Sequence, residues 1–224
     1  MQDAESKTLW NHITGEAMYG PLVGRALGPV SNLLHMTVEQ ALEMDRATRV
    51  AISERAYVAG GRRFGTASSG PRVGGSGRGA GTASRPGPRP DAVMADRFAA
   101  TLGTEDTRRP RMDLGLGIWT GTTSRYYPVE RIQERGDAFI DRIDGRTVLI
   151  YVERESNVPV ALFVDAEQAA WEADDVALGD GSTVRSGVLV DRNGETRPVE
   201  RPQQMFTRWY GFSLTFPGCE VFGG

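Results

Sequence analysis

His12 and Glu16 stand four residues apart in ESKTLWNHITGEAMYGPLVGRAL, residues 5–27, the densest concentration of polar and aromatic side chains in the chain. A histidine beside a carboxylate can act as a general base or as a metal ligand. The plainer alternative is a His12 that bonds a backbone carbonyl, with Glu16 solvated or capping a turn. A metal would need more donors than one histidine, and His35 is the only other histidine in the sequence. No metal and no other cofactor is therefore expected. The second concentration is RPQQMFTRWYGFSLTFPG, residues 201–218. There Arg208, Trp209, Tyr210, Phe212 and Phe216 could line an apolar groove with one cationic anchor. Alternation of Phe206, Arg208 and Tyr210 against Thr207, Trp209 and Gly211 equally fits a sheet strand with both faces occupied. The candidates are thus His12 and Glu16 for catalysis, and Trp10, Arg208 and Tyr210 for ligand binding.

Other reactive groups lack partners in sequence. Cys219, in FPGCEVF, has no histidine near it and reads as a bystander thiol. DLGLGIW, residues 113–119, lacks the third glycine and the following helix of a dinucleotide fingerprint. Asp141, Asp144, Glu153, Glu155 and Asp165 show no acid–base spacing and read as solvated turn and strand-end charges. No Walker A, Gly-x-Ser-x-Gly or His-Glu-x-x-His motif occurs.

The elements that must position these residues read as mainly β. Gly15, Gly20 and Pro21 oppose a long helix around the His12–Glu16 pair and favour a loop-and-strand arrangement. HMTVEQALEMD predicts a helix with Thr37 as N-cap and Gln40 closing a capping box. TRVAIS then reads as a short buried strand. DAFIDRI and RTVLIYV flank Asp144-Gly145, a two-residue hairpin signal, and SGVLVDRNGETRPV repeats the device at Asn193-Gly194. VPVALFV and MFTRWYGFSLTF supply further strands. Short helices are expected in YPVERIQERG, with Gly136 as its C′ residue, and in DAEQAAWEA, capped by Asp165. The fold class is α+β, mainly β: antiparallel hairpins or a meander with a few short helices.

Composition divides the chain. Residues 58–95 are a Gly/Ala/Ser/Arg/Pro mixture, read as a disordered linker between segment 1–57 and a β-rich domain at 96–224. Six arginines lie between 62 and 89, but no aromatic ladder accompanies them. A net charge of -3 likewise gives no case for nucleic acid, which is not expected as a partner. Lys7 is the single lysine among 26 basic residues, which with 28 glycines suggests codon bias in a GC-rich genome. No stretch is long and apolar enough for a membrane span. The first residues lack the pattern of a signal peptide, so the chain as it stands reads as cytoplasmic.

Residues 3–27 resemble the closing segment of a prokaryotic family of undetermined activity, domain of unknown function 3179. Asp3, Ser6, Thr8-Leu9-Trp10, Gly15-Glu16-Ala17, Gly20-Pro21-Leu22, Gly24 and Leu27 carry the resemblance. HMTVEQALEMDRATRVAIS is similar to the helix and strand that follow in the family. Downstream, Tyr127-Pro128 resembles the family's Ala-Tyr-Pro element, and Asp141 lies near its Asn-Asp position. Gly136-Asp137 replaces its His-Glu, and Glu153-Arg154 stands where its Cys-Pro-x-Cys pair would begin. The resemblance implies a chain that starts inside one family domain and continues into a degenerate second half. Family members often carry export or lipoprotein signals, which implies an extracytoplasmic parent protein if the start is truncated. Three functional readings follow. The first is a non-catalytic β-rich binding or structural module. The second is a hydrolase or redox-linked enzyme using His12 and Glu16 near the Arg208–Tyr210 strand. The third is a truncated gene product without independent function.

Overall fold

Residues 1–49, 100 and 102–224 are described by a computed structural model. Met1–Thr48 and Thr104–Gly224 form one compact unit. Almost all of 49–103 lies outside the described residues, including most of the expected strand TRVAIS and the whole segment 58–95.

The compact unit is mostly β. In chain order it contains β1 (Leu9–Trp10), β2 (Ala17–Tyr19), α1 (Val38–Met44), β3 (Leu114–Trp119), β4 (Ser124–Pro128), α2 (Val129–Glu134), β5 (Ala138–Ile143) and β6 (Arg146–Glu153). There follow β7 (Val158–Phe163), β8 (Ala169–Glu172), β9 (Asp175–Leu178), β10 (Thr183–Arg185), β11 (Val188–Val190), β12 (Thr196–Arg197), β13 (Gln203–Arg208), α3 (Trp209–Thr215) and β14 (Glu220–Val221). Besides the β1–β2 pair, three sheets form, with strand orders β13-β3-β4-β14, β5-β6-β7 and β12-β11-β10-β9-β8. Every pairing between these strands is antiparallel except that of β14 on β4.

β6 explains the layering. Its run TVLIYV is apolar without alternation, the pattern of a strand buried on both faces. Side chains alternate across a strand. Val148, Ile150 and Val152 therefore enter one cluster with Leu116, Ile118, Tyr127 and Ile132, from the first sheet and α2. Leu149 and Tyr151 enter another with Val176, Leu178 and Val184, from the five-stranded sheet. The three-stranded sheet is the middle layer of the unit.

β3 carries two glycines on this account. A Cβ on Gly117 would lie 2.2 Å from the Phe212 ring, and one on Gly115 would lie 2.5 Å from both the Tyr127 carbonyl oxygen and the Tyr126 ring. The glycines of DLGLGIW thus let α3 and two tyrosines pack closely. The Asp144-Gly145 hairpin forms as expected, with both residues at positive φ and Ile143 opposite Arg146. Thr37 and Gln40 form the expected capping box on α1.

Three expectations are corrected. DAEQAAWEA is not helical: Ala169–Glu172 is β8, paired with β9 through a turn in which Ala173 takes a φ of 51°. Trp171 secures it, donating to the Asp137 carbonyl at 3.2 Å with the Arg154 guanidinium 4.3 Å above its ring. Tertiary contacts override the local helix preference. MFTRWYGFSLTF is a strand only as far as Arg208. From Trp209 it turns into α3, so Arg208 and Tyr210 do not share a strand. Buried Trp209, Phe212 and Ser213 follow helical spacing, a period concealed in sequence by the aromatic alternation before them. The Asn193-Gly194 connection spans residues 191–195, where Asp191 accepts from the amides of Asn193 and Glu195.

Residues 1–48 are fastened to the sheets by amide side chains. Asn32 accepts from the Gln204 amide at 2.9 Å and donates to the Pro202 carbonyl at 2.8 Å. The Gln204 side chain, 3 % exposed, donates to the Ala161 carbonyl at 2.8 Å and accepts from its N–H at 2.7 Å. It takes the place of a neighbouring strand for β7. Gln204→Leu strips both backbone groups of Ala161 of their partner. Urea unfolding should then show a loss of about 2–4 kcal/mol, and an unchanged midpoint would contradict the assignment.

Candidate functional site

The structure places the expected site residues apart from any cavity described below. Trp10 is buried, and its indole N–H donates to Asp3 Oδ2 at 2.9 Å. The Ser6 hydroxyl donates to the same carboxylate at 2.6 Å, and the Ser6 amide donates to Asp3 Oδ1 at 2.6 Å. Gly20, at a φ of 109°, lies against this knot, since a Cβ there would fall 2.9 Å from the Thr8 Cα. The polar residues of the opening stretch thus hold each other. His12 is exposed on a turn where the Asn11 side chain accepts from the amides of Ile13 and Thr14. Glu16 is exposed just after that turn, in an isolated bridge with Ala26, and accepts from the Thr14 hydroxyl at 3.2 Å. Arg208 is exposed at the end of β13 and donates to the Met112 carbonyl at 3.4 Å. Tyr210 is half-buried in α3.

The largest of the cavities described here gathers other residues. It measures about 780 Å³ and is walled by Arg108, Arg109, Arg125 and Arg131, with Asp141, Glu220 and Phe222. Local structure explains each placement. Arg108 and Arg109 lie before β3, where Asp106 accepts the Arg108 amide at 3.0 Å. Arg125 is on β4, Arg131 on α2 and Asp141 on β5. The parallel pairing of β14 sets Glu220 opposite Arg125. Phe222 follows β14 and stacks on Phe139 at 4.9 Å between ring centres. It also lies 5.1 Å from the Tyr127 ring.

Charge is arranged unevenly around the basin. Arg125 pairs with Asp141 at 2.7 Å and with Glu220 at 2.6 Å. These two carboxylates are the acidic side chains on the wall. Arg108, Arg109 and Arg131 pair instead with Asp106, Asp113, Glu130 and Glu134, none of which lines the cavity. These pairs leave N–H donors on each guanidinium unfilled by its carboxylate. Burial by itself lowers the proton affinity of Arg125, and the Glu220 and Asp141 carboxylates outweigh it and hold that affinity above the ordinary value. The Tyr127 hydroxyl donates to Asp141 at 2.8 Å. Burial, followed by the Asp141 charge, pushes its own pKa far up, so it stays a donor.

Asp141 is therefore no solvated strand-end charge. It is half-buried and joins Arg125 to Tyr127. Sequence reasoning also passed over the basin arginines. The run Arg108-Arg109-Pro110-Arg111 was the one local signal for them. Among the described residues no group of three or more His, Cys, Asp or Glu side chains is placed to hold a metal ion. No helix among them is long and apolar enough to cross a membrane. Comparison of the chain with protein-family models, curated proteins and solved structures finds no match.

Two outcomes test the local chemistry. Asp141→Asn weakens both the Arg125 pair and the Tyr127 bond, and should cost about 1–3 kcal/mol in urea unfolding. A variant as stable as the parent would remove Asp141 from its assigned role. The Ser6 hydroxyl, then the Trp10 indole, holds the Asp3 carboxyl well below the usual carboxylate range. A carboxylate depressed on folding contributes stability above its unfolded pKa and loses it as pH falls through the folded one. The Trp10 indole N–H resonance should therefore stay in place down to about pH 3 and move only below it. A midpoint near the ordinary carboxylate value would show that Asp3 does not hold the indole.

Proposed function

We propose that this protein is a non-catalytic, β-rich binding module whose arginine-walled basin takes an anionic ligand with an apolar or aromatic portion. The observation that carries the reading is the convergence of Arg108, Arg109, Arg125 and Arg131 on one open cavity with Phe222 on its wall. Guanidinium groups suit carboxylate and phosphate because their planar donors match two acceptor oxygens at once. Their acidic partners fix them in place beforehand, so little side-chain freedom is lost on binding. The basin draws its walls from β4, β5, α2 and β14, a rigid setting for a site.

The reading as a hydrolase or redox-linked enzyme needs His12 and Glu16 to face a substrate cavity. Both are exposed, and the cavity that gathers charged groups is walled by other residues. Kinship with domain of unknown function 3179 is a further proposal, carried by the residue pattern from Asp3 to Leu27. In that pattern Asp3, Ser6, Thr8 and Trp10 have a structural task, consistent with a module that uses the motif for folding.

Calorimetric titration with pyrophosphate and with citrate tests the site. Binding of at least one probe is expected, weakening as salt rises because the contacts are ionic. Arg109→Ala combined with Arg131→Ala should reduce affinity by about tenfold or more. Absence of binding by both probes, or binding unaffected by the double substitution, would sink the proposal.

A further inference from the structure

A second, small cavity lies under α1, inside the same unit and remote in chemistry from the arginine basin. It measures about 20 Å³, and its wall includes Gln40, Tyr151, Glu153, Gly187 and Arg201. Three of these residues carry a buried polar atom without a hydrogen-bond partner: Gln40 Nε2, the Tyr151 hydroxyl and Arg201 Nε. Gln40 is 2 % exposed and Tyr151 1 %. Native proteins rarely leave such atoms unsatisfied, and three around one cavity call for an occupant.

The orphan atoms have one character. The Gln40 amide cannot be reversed, because its oxygen accepts the Thr37 N–H of the capping box at 2.8 Å. Its NH₂ end is therefore the unpartnered one. Arg201 donates to the Gly187 carbonyl at 2.8 Å and has no carboxylate partner among the described residues. Burial lowers its proton affinity, yet a guanidinium remains charged throughout the working pH range. A half-buried cation without a counter-charge is costly. The third atom, the Tyr151 hydroxyl, can donate as well. All three groups can donate, and their residues line one cavity whose volume is near that of one water molecule or one monatomic ion.

We propose that the cavity under α1 binds a single halide-sized anion, held by Arg201 Nε–H, the Gln40 NH₂ group and the Tyr151 hydroxyl. Glu153 lines the same wall, and burial, then Glu155 and Glu43, raises its pKa. A neighbouring anion disfavours ionised Glu153, so anion and proton bind together and occupancy grows as pH falls. Because α1 supplies Gln40, the occupied site fastens that helix to β6.

Thermal unfolding of the full chain in sodium chloride, sodium bromide and sodium gluconate at equal ionic strength tests this, alongside chloride NMR line widths. Near about pH 5.5 the halides should raise the melting temperature by about 3–5 °C over gluconate, with a smaller increment near about pH 8. Chloride line broadening should saturate and be displaced by bromide. Tyr151→Phe and Arg201→Gln should each lose the halide-specific increment. Equal melting temperatures in all three salts, with unbroadened chloride, would overturn the proposal and leave water as the occupant. An undiminished increment in Tyr151→Phe would also overturn it.

Discussion

Arg125 joins what holds the fold to what faces the ligand. Its guanidinium reaches Asp141 and the Arg142 carbonyl on β5, and Glu220 on β14, from its own place on β4. One side chain thus ties the four-stranded sheet to the middle sheet and pins the parallel strand beside it. A partly buried cation is tolerated only where its donors are filled and its charge is met. Both conditions are satisfied here by carboxylates from elements far apart in sequence. The same carboxylates form the acidic part of the basin wall. Stability of the layer contact and geometry of the site are one arrangement.

The frame behind that arrangement is β6, buried on both faces between two outer layers. A strand in this position has no side chain free to meet polar needs, so stitches between layers come from elsewhere. Gln204 supplies one by pairing with both backbone groups of Ala161. Tyr127 supplies another through Asp141. Gly115 and Gly117 remove bulk where Tyr126 and Phe212 must approach. Trp209 and Phe212 then close the outer face of β3 with Tyr126 and Cys219. The cysteine serves as a small apolar group in that cluster, its thiol pushed up by burial.

Local grammar was readable in the sequence, and long-range meeting was not. Asp144-Gly145 announced its hairpin because both residues accept positive φ at low cost. Thr37 and Gln40 announced α1 because a capping box is complete within four residues. RTVLIYV reads locally as one arm of that hairpin, and its burial on both faces follows from the layers that meet on it. The helix in DAEQAAWEA failed because Trp171 finds its partners in Arg154 and Asp137, which propensity does not register. The aromatic run before α3 hid the change of period at Trp209. The basin was the least legible feature. Arg125 and Glu220 are 95 residues apart and meet only through a parallel pairing that no short motif signals. Asp141 looked solvated because its partners, Arg125 and Tyr127, lie across a sheet interface. Conversely, His12 attracted notice by type alone, and its turn leaves it facing water.

Crystals of the full chain soaked in selenate give the most direct view of the central claim, that the arginines converge to receive an anion. Anomalous diffraction at the selenium edge should place selenate in the basin, with its oxygens within hydrogen-bonding distance of Arg109 and Arg131. A map with the basin empty of selenate while the anion occupies other arginines would contradict the account.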